Sequence, residues 1–188
     1  MIRVLVVDDH PALRAGLASV LRAEPGLVHA GEASGEEGTL WPALAAARPD
    51  VVLLDVHLPG EDGLQRCLRI KERSSLPKVV LYSAHAGRGL VLPAALAGAD
   101  ALLSKAAPAR ELFDVVRRVA RGERVLPDAT REELDAAAAR VALADLPLLG
   151  LLLQGASRDV VAAALGVAPG EVPDRSRAML SCLHPLAV

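Results

Sequence analysis

Short apolar runs along the N-terminal two thirds of the chain each end in a polar residue. Ile2-Arg3-Val4-Leu5-Val6-Val7 is followed by Asp8 and Asp9, and Val51-Val52-Leu53-Leu54 by Asp55. Val79-Val80-Leu81-Tyr82 leads to Ser83, and Ala101-Leu102-Leu103-Ser104 to Lys105. The runs predict strands at about 2–8, 27–32, 50–55, 78–83 and 101–104. Between them, helical patterns lie near 11–23, 35–47, 62–73, 87–97 and 108–121. Residues 51–54 are apolar at every position, as expected of a strand covered on both faces. Alternation of this kind predicts an α/β fold with a doubly wound, five-stranded parallel sheet. Any site then lies beyond the carboxyl ends of the strands.

The pattern changes after Gly122. Residues 123–130 read as a linker, and Arg131–Val141 as a connecting helix capped by Asp128 or Thr130, with Glu133 in its first turn. Three shorter helices are expected at about 145–153, 157–165 and within 170–183, separated by Gly155 and Gly166, with Ser157 as an N-cap. Two helices joined by a tight glycine turn form a helix-turn-helix layout. The predicted organisation is thus 1–121, a linker and connecting helix over 122–141, and a small all-α unit over 142–188.

Composition narrows the classes. Hydrophobic residues make up 52% of the 188 positions but aromatics only 2%, so the core must be built from Leu, Val, Ala and Ile. The absence of an apolar run near 18 residues or a basic leader predicts neither a membrane span nor secretion. Cys67 and Cys182 read as free thiols of a reducing cytoplasm. Residues 1–121 carry 15 Lys/Arg against 14 Asp/Glu, whereas 122–188 carry 6 Arg against 9 acids. A tail that grips DNA is normally the basic part. This one is acidic.

If the strands are parallel, Asp8, Asp9 and Asp55 gather at one sheet edge, a costly arrangement unless a cation joins them. Carboxylate oxygens suit Mg²⁺ or Mn²⁺. Lys105 and the Ser83 hydroxyl are placed to meet the oxygens of a phosphoryl group, and Asp55 is the natural nucleophile.

The stretches Val-Val-Asp8-Asp9-His10, Leu-Leu-Asp55-Val-His57-Leu-Pro59-Gly60-Glu-Asp-Gly63, Val-Val-Leu-Tyr-Ser83-Ala84 and Gly98-Ala-Asp-Ala-Leu-Leu-Ser-Lys105 together resemble the receiver domain of two-component response regulators. The resemblance covers residues 1–121. It implies phosphate on Asp55, Mg²⁺ held by Asp8, Asp9, Asp55 and the backbone carbonyl of His57, Ser83 as the hydroxyl that moves toward the phosphate, and Lys105 as its ion-pair partner. It also implies a sensor histidine kinase as phosphate source and a phosphorylation-dependent homodimer. Leu102 stands where the family usually carries Tyr or Phe. His10, His57 and His85 are expected as partly exposed loop residues that tune access, not as ligands through their rings.

Residues 141–184 resemble the helix-turn-helix of LuxR/NarL-type response regulators. Glu171 and Pro173 replace the usual hydroxyl and basic residues around Val172, leaving Arg175 and Arg177 as the candidate DNA contacts. Pro173 predicts a late start or a kink in the last helix. Two readings follow: a regulator of transcription through DNA, and a phosphorylation-dependent adaptor whose C-terminal unit binds protein. A phosphohydrolase reading is disfavoured because His57 stands where such enzymes carry a second acid, which leaves at most slow autodephosphorylation.

Overall fold

The computed structural model describes residues 1–60, 62–73 and 76–184. Five strands, β1 (Ile2–Val7), β2 (Leu27–Ala33), β3 (Val51–Asp55), β4 (Lys78–Ser83) and β5 (Ala101–Ser104), alternate with helices α1 (Pro11–Ala23), α2 (Glu37–Ala47), α3 (Gly63–Arg73), α4 (Val91–Leu96) and α5 (Ala109–Ala120). The sheet is parallel, in the order β2-β1-β3-β4-β5. Successive side chains of a strand point to opposite faces. Val4 and Val6 accordingly join the core under α1 and α5, while Leu5 and Val7 join the core on the other face.

Helix boundaries follow local chemistry. Pro11 opens α1, where its missing N–H costs nothing. α4 is shorter than the pattern suggests: a 3₁₀ turn at Arg88–Leu90 precedes it, and its six residues are all buried. A helix buried on every side must be covered by something beyond the sheet.

The cover is the C-terminal unit. α6 (Arg131–Ala138) starts at Thr130, whose side chain accepts from Glu133 N while Glu133 reaches back to Thr130 N at 2.7 Å. α7 (Leu146–Leu153), α8 (Arg158–Leu165) and α9 (Glu171–Leu183) follow, α8 capped by Ser157. Pro173 lies in the first turn of α9, so the helix begins late enough to tolerate it. α7 and α9 pack on α4, and α9 also on α3. Leu148, Leu149, Val161, Val172, Met179 and Leu180 form one continuous core with Leu68, Ala94 and Leu96 of the sheet-containing part.

The segment expected as linker begins with a sheet contact. Val125 N donates to Asp100 O at 2.7 Å and Leu102 N to Val125 O at 3.3 Å, extending the sheet edge beside β5. Residues 185–188 of the expected C-terminal unit lie outside the described residues. Cys67 is buried and Cys182 exposed, both as free thiols. No helix among the described residues is long and apolar enough to cross a membrane.

Candidate functional site

Register fixes the site. Val7 pairs with Leu54, Asp55 with Tyr82 and Ser83 with Ser104, so the carboxyl ends of β1, β3, β4 and β5 align. Asp8 and Asp55 are almost completely buried there, each about 2% exposed or less. Lys105 enters between them: its Nζ lies 2.7 Å from Asp55 Oδ2 and 2.7 Å from Asp8 Oδ2. Burial alone would lower the ammonium pKa. Hydrogen bonds and charge from Asp55 and Asp8 outweigh it and hold the group above its ordinary value.

The loop after β3 supplies further support. His57 N donates to Asp55 Oδ1 at 3.1 Å. Gly63 N donates to Val56 O at 2.8 Å, drawing the start of α3 against the strand end. A Cβ on Gly63 would sit 1.9 Å from Asp55 O, so only glycine fits that position. On the β1 side, Arg14 of α1 donates to Asp8 O at 2.7 Å.

One oxygen from each of Asp8, Asp9 and Asp55 and a ring nitrogen of His10 lie within 4.8 Å of one another. Asp8 Oδ2 and Asp9 Oδ1 are sealed from solvent, with Lys105 Nζ beside the first and His10 Nδ1 beside the second. Buried carboxylate oxygens of this kind fit a hard divalent cation. The cluster can therefore hold a metal through Asp8, Asp9 and Asp55.

His10, expected as a partly exposed loop residue, lies beside the acid pair. Its Nδ1 lies 2.6 Å from Asp9 Oδ1 and 3.2 Å from Asp8 Oδ1, although the side chain is largely exposed. Its place immediately after the acid pair was the available signal. His57 contributes its backbone N–H at Asp55, while its ring lies edge-on to His85 with centroids 6.0 Å apart.

Ser83 is fully buried at the end of β4. Its Oγ accepts from His85 N at 3.1 Å, and its carbonyl accepts from Lys105 N at 2.8 Å. Asp8, Asp9, Asp55 and Lys105 are thus brought together, with Ser83 on the neighbouring strand. Leu102 is half-buried and packs against the core shared with the C-terminal helices.

The two remaining candidates lie on α9, away from that edge. Arg175 pairs with Asp145 and with the carbonyl of Ala144. Arg177 donates to Glu72 of α3 at 2.7 Å and to Asp174 at 2.8 Å. The sequence offered no signal for Glu72 or Asp145 as partners, because each is remote along the chain.

The response regulator receiver domain profile matches residues 4–117. The chain belongs to the response regulators. It is 38% identical over 124 residues to the transcriptional regulatory protein LiaR of Bacillus subtilis, covering 65% of this chain and 58% of LiaR. It is 34% identical over 127 residues to the nitrate/nitrite response regulator NarL of Escherichia coli K12, covering 67% and 58%. A crystal structure of a LuxR-family two-component response regulator from Aurantimonas superposes with a TM-score of 0.63 at 27% identity, covering 72% of this chain and 97% of that one. These likenesses place the response regulator in the LuxR/NarL type. It spans a little under three fifths of the length of LiaR and NarL.

Proposed function

We propose that the protein is a cytoplasmic response regulator phosphorylated on Asp55 by a sensor histidine kinase, and that it controls transcription through its C-terminal unit. The observation that carries this reading is Lys105 Nζ at 2.7 Å from both Asp55 and Asp8, with Asp9 beside them. In this reading the receiver spans 1–121, the linker and connecting helix 122–141, and a helix-turn-helix unit 142–188.

The chemistry is phosphoryl transfer. An Asp55 carboxylate oxygen attacks phosphorus, the P–N bond of the kinase phosphohistidine breaks with its electron pair going to nitrogen, and neutral imidazole leaves, its proton already on the other ring nitrogen. Asp8, Asp9, Asp55 and the His57 carbonyl would hold Mg²⁺, which supplies charge neutralisation at the phosphoryl oxygens. Lys105 exchanges part of its pairing with Asp8 for the new phosphate, and Ser83 donates its hydroxyl to a further oxygen. The chain's own turnover is confined to slow autodephosphorylation.

LiaR is named a transcriptional regulatory protein, which supports transcription as the output. Phosphorylation then favours a homodimer that binds DNA with Arg175 and Arg177. A second reading, a signalling adaptor that binds protein, is favoured by one specific observation: both arginines already have carboxylate partners, and Arg177 takes its partner from the receiver.

The test is phosphorylation by acetyl phosphate with Mg²⁺, following mass, oligomeric state and DNA retardation in native protein and Asp55→Asn. A phosphoryl adduct absent from Asp55→Asn is expected. An adduct that survives Asp55→Asn would overturn the site, and phosphorylated protein that never retards DNA at low salt selects the adaptor.

A further inference from the structure

Receiver and C-terminal unit meet around a cavity of about 460 Å³, within the range that accommodates small-molecule ligands. α3, β4, the turn before β5, the linker and the start of α8 contribute to its walls. Cationic side chains outnumber acids five to three among the described lining residues, in a chain whose net charge is -2. That local excess of positive charge is opposite in sign to the whole.

Most of these charges are already occupied. Lys71 and Lys78 converge on Asp100 at 2.5 and 3.1 Å. Glu72 is taken by Arg177, and Arg73 lies over the Trp41 ring, 3.8 Å from its centroid. Arg124 and Arg158 remain, and neither has a carboxylate within ion-pair distance among the described residues.

Each donates to a backbone carbonyl across the junction. Arg124, from the linker, donates to Leu153 O of α7 at 2.6 Å, and Arg158, from α8, to Leu68 O of α3 at 3.2 Å. Burial lowers the pKa of both guanidinium groups, while Asp100 near Arg124 and Glu72 near Arg158 act in the opposite direction. Arg158 is half-buried and Arg124 exposed at the cavity rim, and a guanidinium bonded only to one carbonyl retains unused donors. Guanidinium matches phosphate oxygens bidentately, which makes a phosphoryl anion the fitting counter-charge.

Two other features sort the ligand. α8 opens on the cavity at Ser157, so the positive end of the helix adds to the same field. Asp159 in that first turn opposes it and keeps the net charge modest. The cavity's volume of about 460 Å³ exceeds what a bare inorganic ion fills, while Ala95, Leu96 and Leu152 at its back are themselves almost fully buried.

We infer that this cavity binds a small phosphate-bearing molecule of nucleotide size, with its phosphoryl oxygens on Arg124 and Arg158. Because the two arginines belong to the linker and to α8, and the opposite wall to the receiver, an occupant fastens the helical unit to the receiver. The site is separate from the Asp55 edge and does not require its phosphorylation.

The experiment is calorimetric titration of the full chain, without divalent cations, by ADP, pyrophosphate and adenosine. ADP and pyrophosphate are expected to bind at least tenfold more tightly than adenosine. Arg124→Gln and Arg158→Gln should each weaken ADP at least tenfold. Arg131→Gln, on exposed α6, and Asp55→Asn should leave it unchanged. Should Arg158→Gln fail to fold, Arg158→Lys keeps the charge, loses the bidentate geometry and is expected to weaken ADP several-fold. No binding of ADP or pyrophosphate at millimolar concentration overturns the inference, as does binding unaffected by the substitutions in folded protein. Binding of pyrophosphate with no gain for ADP overturns the nucleotide-sized occupant.

Discussion

Arg177 of α9 donates to Glu72 of α3 at 2.7 Å, so a cation proposed as a DNA contact is held by a carboxylate of the receiver. The pair is partly exposed, with side chains 42% and 23% accessible, and contributes no more than about 1 kcal/mol. Its importance is positional. Glu72→Gln is expected to leave global stability nearly unchanged while speeding amide exchange in residues 171–183. If DNA is the output, the same variant retards DNA more strongly than native protein at low salt. Unchanged exchange in α9 would show that apolar packing alone sets its position.

Divalent cation binding should register as stability. A ligand that binds only the folded state at ten times its dissociation constant adds about 1.4 kcal/mol. Mg²⁺ is therefore expected to raise the thermal midpoint of native protein. Asp9→Asn removes one acid from the cluster without touching Lys105, and should abolish most of that rise while the protein remains folded. A midpoint indifferent to Mg²⁺ in native protein counts against the carboxylate cluster as a metal site.

Cys67 gives a pH prediction. Burial pushes its thiol up to about 12, the main cause being desolvation, with the nearby Lys71 opposing. Because the folded pKa lies above the unfolded one, the associated stability is fully present below about pH 9. It is lost as pH rises toward 12, by ~1.4 kcal/mol per unit at most. Comparing native protein with Cys67→Ala between pH 8 and 11 isolates this slope, which the variant should lack. At pH 8, alkylation should modify exposed Cys182 and spare Cys67. Rapid modification of both thiols in folded protein would contradict the packing.

The strands, their parallel arrangement and the gathering of Asp8, Asp9, Asp55 and Lys105 were legible because each depends on local pattern plus one topological rule. Capping was legible for the same reason: Thr130, Glu133 and Ser157 act within three residues of themselves. What escaped is non-local. Nothing around Val91–Leu96 marks a helix covered by another unit, since a buried face reads alike whatever buries it. Arg175 and Arg177 read as free cations because Asp145 and Glu72 lie 30 and 105 positions away. His10 was visible as a residue, but its closeness to both acids depends on the turn that starts α1.

Gly63 couples fold and site most directly. An added methyl would have to occupy space 1.9 Å from Asp55 O and 2.8 Å from Val56 Cα, both backbone atoms of the strand end that carries the Asp55 carboxylate. Gly63→Ala must therefore displace either α3 or β3, at an overpacking cost of ~1–3 kcal/mol. Misplacement of a reacting group by about 1 Å can cost two orders of magnitude in rate. The variant is expected to remain folded at low temperature and to accept phosphate from acetyl phosphate at least tenfold more slowly than native protein. Gly16, in α1, has nothing within 4 Å of its added methyl, so Gly16→Ala should gain ~0.5–1 kcal/mol from helix propensity and phosphorylate normally. Equal phosphorylation rates for the two folded variants would mean that the close approach of α3 to Asp55 does not position the carboxylate.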